Sequence, residues 1–274
     1  MMVEKGYQED PYAALLYSGK RRKLLPIINR GTWVRAASVS NLLSRFISAY
    51  PGGQILSLGG GFDSNFFRLK AAHPCEPFFY FELDFPEIVE QKTKRIGKQE
   101  PLLNLAKSGG YSLAAADLRT LTPASLHTIG LDPDKPTLIV AEVVLVYLEE
   151  SEGDALIQAL ADYFSERAFL IYEMICPDDP FGKMMMANLE DRGCPLRGIQ
   201  ADLAAQRKRY EASGGCECVV AVDMLEFYEE FVEKEERARV EALEFFDEYE
   251  EWQLLQRHYC VVFAATPGLA GLAP

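Results

Sequence analysis

Short runs of aliphatic, β-branched and aromatic residues alternate with longer segments of helical periodicity along most of this 274-residue chain. Such alternation is typical of strand–helix–strand units, in which the strands line up as a mostly parallel sheet with helices on both faces. Seven strands are predicted, at residues 54–58, 78–83, 112–116, 137–141, 168–172, 217–222 and 258–265. The fold class is therefore predicted to be α/β.

Helical periodicity predicts helices at residues 39–49, 64–70, 86–96, 151–163, 181–192, 201–212, 224–235 and 237–256. The last two overlap an acidic segment, residues 226–251, which holds twelve acidic and three basic residues. Phe227, Phe231, Leu243 and Phe246 keep helical spacing within it. A solvated helix face is the simpler interpretation, and a docking surface for a basic partner is the alternative. Residues 266–274 are predicted to form a frayed tail.

The first predicted strand leads into the loop Gly59-Gly60-Gly61-Phe62-Asp63-Ser64 and then into a helix. Glycines let the backbone turn tightly and approach a ligand, so Gly59 and Gly61 are candidate cofactor contacts. A third glycine at position 64 would complete a dinucleotide fingerprint, but that residue is Ser64. Asp63 would repel a phosphate and attract a cationic sulfonium. The loop thus favours S-adenosyl-L-methionine over a dinucleotide, with a ligand-free tight turn as the alternative.

Asp84 closes the second predicted strand. Nucleotide-binding α/β folds place an acidic residue there to accept hydrogen bonds from the ribose hydroxyls. Asp84 is preferred to Glu82 because it lies nearer the C-terminal edge of the sheet, where ligands bind. The alternative role for Asp84 is a cap on the helix that begins near Pro86.

Three further candidates end the third and fourth strands. Asp117 and Leu118 are positioned to hydrogen-bond and pack on an adenine, although an Asp at a strand end is often only a loop cap. Glu142 interrupts the otherwise apolar run 137–148, and a buried carboxylate must be paired or hydrogen-bonded. We therefore expect Glu142 to contact the ligand, with a structural ion pair as the alternative.

Taken in order, these segments resemble the leucine carboxyl methyltransferase family, which methylates the C-terminal leucine carboxylate of the protein phosphatase 2A catalytic subunit. The matching segments span nearly the whole chain and lie at residues 6–7, 10–12, 28–35, 58–63, 81–86, 116–119, 141–147 and 257–260. The resemblance implies the Rossmann-like fold of class I S-adenosylmethionine-dependent methyltransferases. Members of that family carry an N-terminal helical arm with a lysine shortly before the Gly-Tyr segment, and we expect this chain to lack that arm.

The resemblance implies cofactor contacts from Arg35, Gly59, Asp84, Asp117, Leu118 and Glu142. It also implies that Arg35 and Tyr147 face the substrate carboxylate as the catalytic residues. A C-terminal carboxyl, with a reference pKa of about 3.3–3.7, is ionised at neutral pH and needs no general base. Catalysis would then depend on alignment and on exclusion of water, with Arg35 holding the carboxylate and Tyr147 donating a second hydrogen bond. Arg35 is expected just before the helix at 39–49. The alternative role for Arg35 is a surface ion pair.

The acidic balance of the chain limits its partners. A net charge of −13 opposes attraction to phosphate backbones and anionic membranes, so we expect neither nucleic acid nor a membrane as partner. The nearest alternative function is that of a related carboxyl methyltransferase acting on a modified tRNA base, which this charge disfavours. An NAD-linked reductase is disfavoured by the missing third glycine. A non-catalytic S-adenosylmethionine-binding protein is disfavoured because Arg35, Asp84 and Glu142 are all present.

No linker divides the chain, so a single domain, residues 1–274, is expected. It would comprise an N-terminal helical cover (1–50), a cofactor-binding core (51–176), a helical insertion (177–216) and the last two strands around the acidic segment (217–266). The start shows no signal-peptide pattern, and the longest apolar run is shorter than the ~20 residues a membrane span needs. Six cysteines without C-x-x-C spacing predict reduced thiols and no metal site. We expect a cytoplasmic monomer.

Overall fold

The strands form a sheet in the order β3-β2-β1-β4-β5-β7-β6 in the computed structural model, which describes residues 2–17, 19 and 24–274. Neighbouring strands are parallel except that β7 runs antiparallel to β5 and β6. The strands are β1 (Gln54–Leu58), β2 (Phe79–Asp84), β3 (Tyr111–Ala115), β4 (Thr137–Glu142), β5 (Arg167–Met174), β6 (Cys218–Asp223) and β7 (Tyr259–Ala265). The predicted α/β class with a seven-stranded, mostly parallel sheet is confirmed.

The strand order reverses at β1, because the chain runs outward from β1 to β3 and then returns to β4 on the other side of β1. Open α/β sheets bind ligands at such a switch point, outside the carboxyl ends of the strands. Leu58 of β1 pairs with Ala141 of β4. The residues that follow them, Gly59 and Glu142, are therefore brought side by side at the ligand-binding edge.

Helices pack on both faces of the sheet, and the central strands are buried on both sides. Ile55 belongs to one large apolar cluster and its neighbour Leu56 to the other, which explains why two consecutive residues of β1 are both apolar. The α-helices are α1 (Ala13–Leu16), α2 (Pro26–Ala49), α3 (Asn65–Ala72), α4 (Pro86–Lys98), α5 (Glu100–Lys107), α6 (Pro123–Ile129), α7 (Glu150–Tyr163), α8 (Pro180–Glu190), α9 (Leu203–Ala212), α10 (Met224–Glu226), α11 (Lys234–Glu241) and α12 (Tyr249–Arg257). None of the helices in the described part of the chain is both long and apolar enough to cross a membrane.

Helix α2 begins at Pro26, well before its predicted start at residue 39. Proline at the first turn is pre-organised for a helix, and the helix then buries Trp33 and Val34 as well as its predicted half. The expectation that Arg35 precedes this helix is therefore wrong, since Arg35 lies inside α2. Helices α5 and α6 were not predicted, and both are short helices with proline near their first turn.

The acidic segment is not the predicted pair of long helices. After α10 the chain makes a π-helical turn at Phe227–Phe231, and residues 242–248 separate α11 from α12. Tertiary contacts explain the second break: Glu244 accepts hydrogen bonds from Asn29 and Tyr7, and Phe246 is buried. The predicted frayed tail is also wrong, because Pro267–Leu272 forms a 3₁₀ helix with two leucines buried in the core.

Candidate active site

The glycine loop after β1 lies at the switch point of the sheet. Gly59 and Gly61 have φ angles of +60° and +52°, a conformation that residues with side chains rarely adopt. A Cβ atom on Gly59 would lie 2.9 Å from Cγ2 of Val144, whereas the space beside Gly61 is open. Gly59 therefore allows the loop to pack against the segment after β4, and Gly61 leaves room for a ligand.

Asp84, at the end of β2, holds this loop in place. Its Oδ2 accepts a hydrogen bond from the Gly61 N–H at 2.8 Å, and its Oδ1 accepts one from the Phe85 N–H at 2.7 Å. Phe85 occupies the N-cap position of α4, so the helix-cap alternative for Asp84 is wrong. The carboxylate is partly buried and borders the open space at Gly61, and it keeps lone pairs that ribose hydroxyls would use.

A buried charge network lies against the same loop. The Nζ of Lys92 in α4 is 2.5 Å from Oε2 of Glu82 and 3.9 Å from Oδ1 of Asp63, and the Tyr111 hydroxyl donates to Glu82 at 3.2 Å. Burial raises the pKa of Glu82 to about 7, although Lys92 opposes the shift. Glu82 is therefore engaged with Lys92 and Tyr111, which leaves Asp84 as the more accessible carboxylate.

Asp117 and Leu118 follow β3, one strand beyond Asp84. The Ala116 N–H donates to the Asp84 carbonyl at 2.9 Å, which ties this segment to the end of β2. The Asp117 carboxylate accepts hydrogen bonds from the guanidinium and, more weakly, from the backbone N–H of Arg119, and these bonds lower its pKa to about 2. Leu118 is partly buried against the core. The loop-cap role that we considered for Asp117 is thus present, and an adenine contact would have to be made alongside it.

Arg35 and Glu142 meet at the C-terminal end of β4. The Nε of Arg35 donates to Oε2 of Glu142 at 2.7 Å, and the guanidinium carbon lies 5.1 Å from the ring centroid of Tyr172. Burial by itself would lower the pKa of Arg35, but the Glu142 carboxylate outweighs burial and the pKa is raised. The two terminal nitrogens of Arg35 have no hydrogen-bond partner in the described part of the chain.

Tyr147 reaches the same region from a 3₁₀ turn, Leu145–Tyr147, that follows β4. Its side chain is 42% exposed, and burial of the remainder raises the pKa of the phenol, so the hydroxyl is a hydrogen-bond donor at neutral pH. Tyr147 also borders a second depression of about 490 Å³, which contains Arg119 and Cys194. It therefore stands between two concave surfaces.

A cleft of about 450 Å³ contains Arg35, Glu142 and Tyr147 together. Its walls include the stacked rings of Tyr172 and Tyr259, whose centroids are 5.5 Å apart. One cation, one carboxylate and three phenols thus line a cleft whose other walls are largely aliphatic. Such a site suits a small anionic group attached to an apolar side chain.

The structure brings the predicted site residues into two connected groups. In one group Asp84 accepts a hydrogen bond from Gly61, and the Gly59 N–H of the same loop donates to the Leu83 carbonyl of β2. In the other group Arg35, Glu142 and Tyr147 line one cleft. Val144 connects the groups because it packs on Gly59. Asp117 and Leu118 lie farther along the sheet edge, beyond β2. No group of three metal-ligating side chains occurs among the residues that the structure describes.

Two buried charged residues near the site were not predicted, Lys92 and Glu173. A sequence signal existed for each. Lys92 falls four residues before the buried Ile96, so it lies on the apolar stripe of α4. Glu173 follows the predicted strand 168–172 and interrupts an apolar run, the same signal that singled out Glu142.

Comparison with known proteins places the chain in a family. The family model described as leucine carboxyl methyltransferase matches residues 2–161, more than half of the chain. The chain therefore belongs to the leucine carboxyl methyltransferase family. This finding confirms the resemblance drawn from the sequence.

Its curated relatives carry more than one functional name. Leucine carboxyl methyltransferase 1 homolog of Arabidopsis thaliana is 37% identical over 97% of this chain and 85% of its own length. Leucine carboxyl methyltransferase 1 of Schizosaccharomyces pombe is 34% identical over 97% of this chain and 90% of its own length. The tRNA wybutosine-synthesizing protein 4 of Homo sapiens is 39% identical over 96% of this chain, but the chain spans only 42% of that protein.

Solved structures support the same fold. A putative methyltransferase from Thermobifida fusca superposes with a TM-score of 0.63 at 13% identity, covering 93% of this chain and 92% of that one. Magnesium protoporphyrin IX methyltransferase from Synechocystis, solved with S-adenosylmethionine bound, superposes with a TM-score of 0.51 at 12% identity, covering 96% and 95%. The fold is that of S-adenosylmethionine-dependent methyltransferases, and S-adenosylmethionine is the cofactor that fold and family together indicate.

Proposed function

We propose that this protein is a carboxyl O-methyltransferase that esterifies the C-terminal leucine carboxylate of the protein phosphatase 2A catalytic subunit. The observation that carries the proposal is the cleft shared by Arg35, Glu142 and Tyr147. Glu142 occupies the Nε of Arg35 and leaves the two terminal nitrogens available, and these form a planar pair that matches a carboxylate. The apolar walls of the cleft suit a leucine side chain.

The residues at the switch point fit S-adenosylmethionine. Open space at Gly61 admits a ligand close to the backbone, and Asp84 beside it would accept hydrogen bonds from the ribose hydroxyls. Gly59 allows the loop to approach the segment after β4. Asp117 and Leu118 would border the adenine, and Glu142 would add negative charge near a cationic ligand. This predominance of carboxylates suits a sulfonium compound and opposes a pyrophosphate.

The chemistry requires little more than positioning. The bound cofactor supplies an electrophilic methyl group, and a C-terminal carboxylate is already ionised at neutral pH. Arg35 would fix the plane of the carboxylate, and Tyr147 would donate a hydrogen bond that orients the attacking oxygen. Tyr172 and Tyr259 would keep water away from a weak nucleophile. No side chain has to remove a proton.

The purified phosphatase catalytic subunit and tritiated S-adenosylmethionine test this proposal. We expect a label on the protein that is released by mild base, as an ester is, and that disappears when the terminal leucine is deleted. A short peptide of the tail should react more slowly than the folded subunit, because remote binding energy helps to position the nucleophile. Label that persists after deletion of the leucine would contradict the proposed acceptor.

A second candidate is methylation of a carboxyl group on a modified tRNA base. The similarity to tRNA wybutosine-synthesizing protein 4 favours it, since that relative is 39% identical over nearly the whole of this chain. The net charge of −13 opposes it, because binding to a phosphate backbone draws on clustered cations. Incubation with tRNA that carries the unmethylated precursor base distinguishes the candidates, since label on that RNA would support the second.

A further inference from the structure

Glu173, in β5, lies behind the cleft rather than in it. Its side chain is 1% exposed, and its neighbour Tyr172 forms part of the wall of the cleft. Oε1 of Glu173 accepts hydrogen bonds from the N–H groups of Val144 and Leu145 at 3.1 and 2.8 Å. These are consecutive amides of the segment between Glu142 and Tyr147. One carboxylate oxygen therefore anchors the backbone that joins two candidate site residues.

That backbone has a conformation that needs support. Val143 has a φ of +58°, in the left-handed region that a β-branched residue rarely adopts. Its N–H donates to the Tyr172 carbonyl at 2.8 Å, so β5 holds both Val143 and the next two residues. Strain of this kind persists only where the surroundings determine the conformation, and it recurs at functional sites.

The anchored segment also contacts the cofactor loop. The side chain of Val144 fills the space beside Gly59 that a Cβ would occupy. A displacement of Val144 would therefore be transmitted to the glycine loop on one side and to Tyr147 on the other. Glu173 lies at the point where these two groups are connected.

The second oxygen of Glu173 is buried and has no hydrogen-bond partner in the described structure. The ionisable groups that interact with it electrostatically include Arg209 and Tyr210 of α9, Cys260 of β7 and the candidate site residue Tyr147. Burial raises the pKa of Glu173 to about 7, whereas the backbone N–H groups of Val144 and Leu145 and the charge of Arg209 oppose that shift. Burying a carboxyl group costs free energy, and the hydrogen bonds to the two amides account for its presence here.

We propose that Glu173 is a positioning residue. Its side chain is long enough to accept hydrogen bonds from the Val144 and Leu145 amides, which fixes the 143–147 segment and thereby aligns Glu142 and Tyr147. Its own side chain is buried and does not line the cleft. The alignment of the segment is a property of the folded chain, whereas its effect on methyl transfer rests on the proposed function.

Two variants separate the effect of side-chain length from the effect of side-chain charge. Glu173→Gln keeps the length of the side chain and an acceptor oxygen for both amides but has no charge. Glu173→Asp keeps the charge but is shorter by one carbon–carbon bond, roughly 1.5 Å. Gln206→Leu is the matched control, since Gln206 is another buried polar residue, in α9, and its side-chain oxygen has no hydrogen-bond partner among the described residues.

Hydrogen exchange of the 143–147 amides and the kinetics of methyl transfer provide the readouts, with thermal unfolding to verify folding. For Glu173→Asp we expect at least tenfold faster exchange at Val144 and Leu145. We also expect a fall in kcat of about 100-fold, the scale of a misplacement of about 1 Å, and a rise in the KM for S-adenosylmethionine, because Val144 packs on the glycine loop. Glu173→Gln and Gln206→Leu should remain close to the parent protein in exchange and in kcat.

The opposite order of activities would overturn the proposal. An active Glu173→Asp variant with an impaired Glu173→Gln variant would show that the charge of the side chain matters and its length does not. Unchanged exchange in Glu173→Asp would overturn it as well. The exchange measurement does not depend on the acceptor. If the parent protein methylates no phosphatase subunit, the proposed function fails while the anchoring role of Glu173 is still decided.

Discussion

Arg35 is both fixed by a neighbouring carboxylate and placed at the cleft. It lies within α2, its Nε is fixed by Glu142, and its terminal nitrogens border the cleft. Arg35→Lys should therefore lose most activity despite keeping the charge, because an ammonium offers no planar pair of donors. Arg35→Ala should reduce turnover by ~10²-fold or more, the scale of a lost electrostatic contact in the transition state. Steady-state kinetics, with thermal unfolding to verify folding, measure both changes. Near-normal turnover of Arg35→Lys would show that another group orients the carboxylate.

Asp84 gives a prediction about cofactor binding. Its carboxylate fixes the Gly61 amide and borders the open space of the glycine loop. Asp84→Ala should weaken binding of S-adenosylmethionine by roughly 1.5–3 kcal/mol, the scale of hydrogen bonds to a charged group. Calorimetric titration measures the change, and Glu90→Ala, an exposed carboxylate on α4, is the control. Unchanged affinity in Asp84→Ala would move the ribose contact to another residue.

At the scale of elements, the Lys92–Glu82 pair joins α4 to β2. Both side chains are almost completely buried, so Lys92→Met leaves a buried carboxylate without its cation. We expect the free energy of unfolding to fall by about 3–5 kcal/mol in this variant. The double variant Lys92→Met with Glu82→Gln should recover a large part of that loss, because no buried charge is then left uncompensated. Urea denaturation measures both, and a double variant no more stable than Lys92→Met would contradict the interpretation.

The elements that the sequence predicted well are those whose pattern depends on burial alone. The central strands and α7 were placed within a residue or two because their apolar runs are continuous or periodic. The start of α2 was missed although Pro26 marks it locally. The break between α11 and α12 was missed because it depends on distant contacts such as that of Glu244 with Asn29. Tertiary contacts override local preference at such places.

The candidate site likewise contains residues that the sequence identified and residues that it did not. Its residues at strand ends could be found because a parallel sheet collects them at one edge. Lys92 and Glu173 were missed because a single charged residue in a helix or after a strand is more often exposed. Only the packed structure shows that α4 and β5 bury these side chains against the segments that hold the site.

At the scale of the whole molecule, buried carboxyls should make stability depend on pH. Burial raises the folded-state pKa of Glu82 and of Glu173 to about 7, from the ordinary value of 4.5 for a glutamate. Between these pH values the folded protein holds protons that the unfolded chain releases, so the free energy of unfolding falls as pH rises from about 4.5 to about 7. For Glu173 the loss is on the order of 3 kcal/mol. Urea denaturation of the parent protein and Glu173→Gln from pH 5 to pH 8 should show the parent losing stability relative to the variant. A constant difference would contradict the raised pKa.

At the same scale, a single reaction tests most directly whether the acceptor is the phosphatase C-terminus. The protein, tritiated S-adenosylmethionine, the phosphatase catalytic subunit and tRNA carrying the unmethylated precursor base are combined at physiological ionic strength, and the two acceptors are then separated and counted. We predict that base-labile label accumulates on the phosphatase subunit and is lost from a subunit lacking its terminal leucine, while the tRNA remains unlabelled. Label on the tRNA with none on the intact subunit would contradict the account.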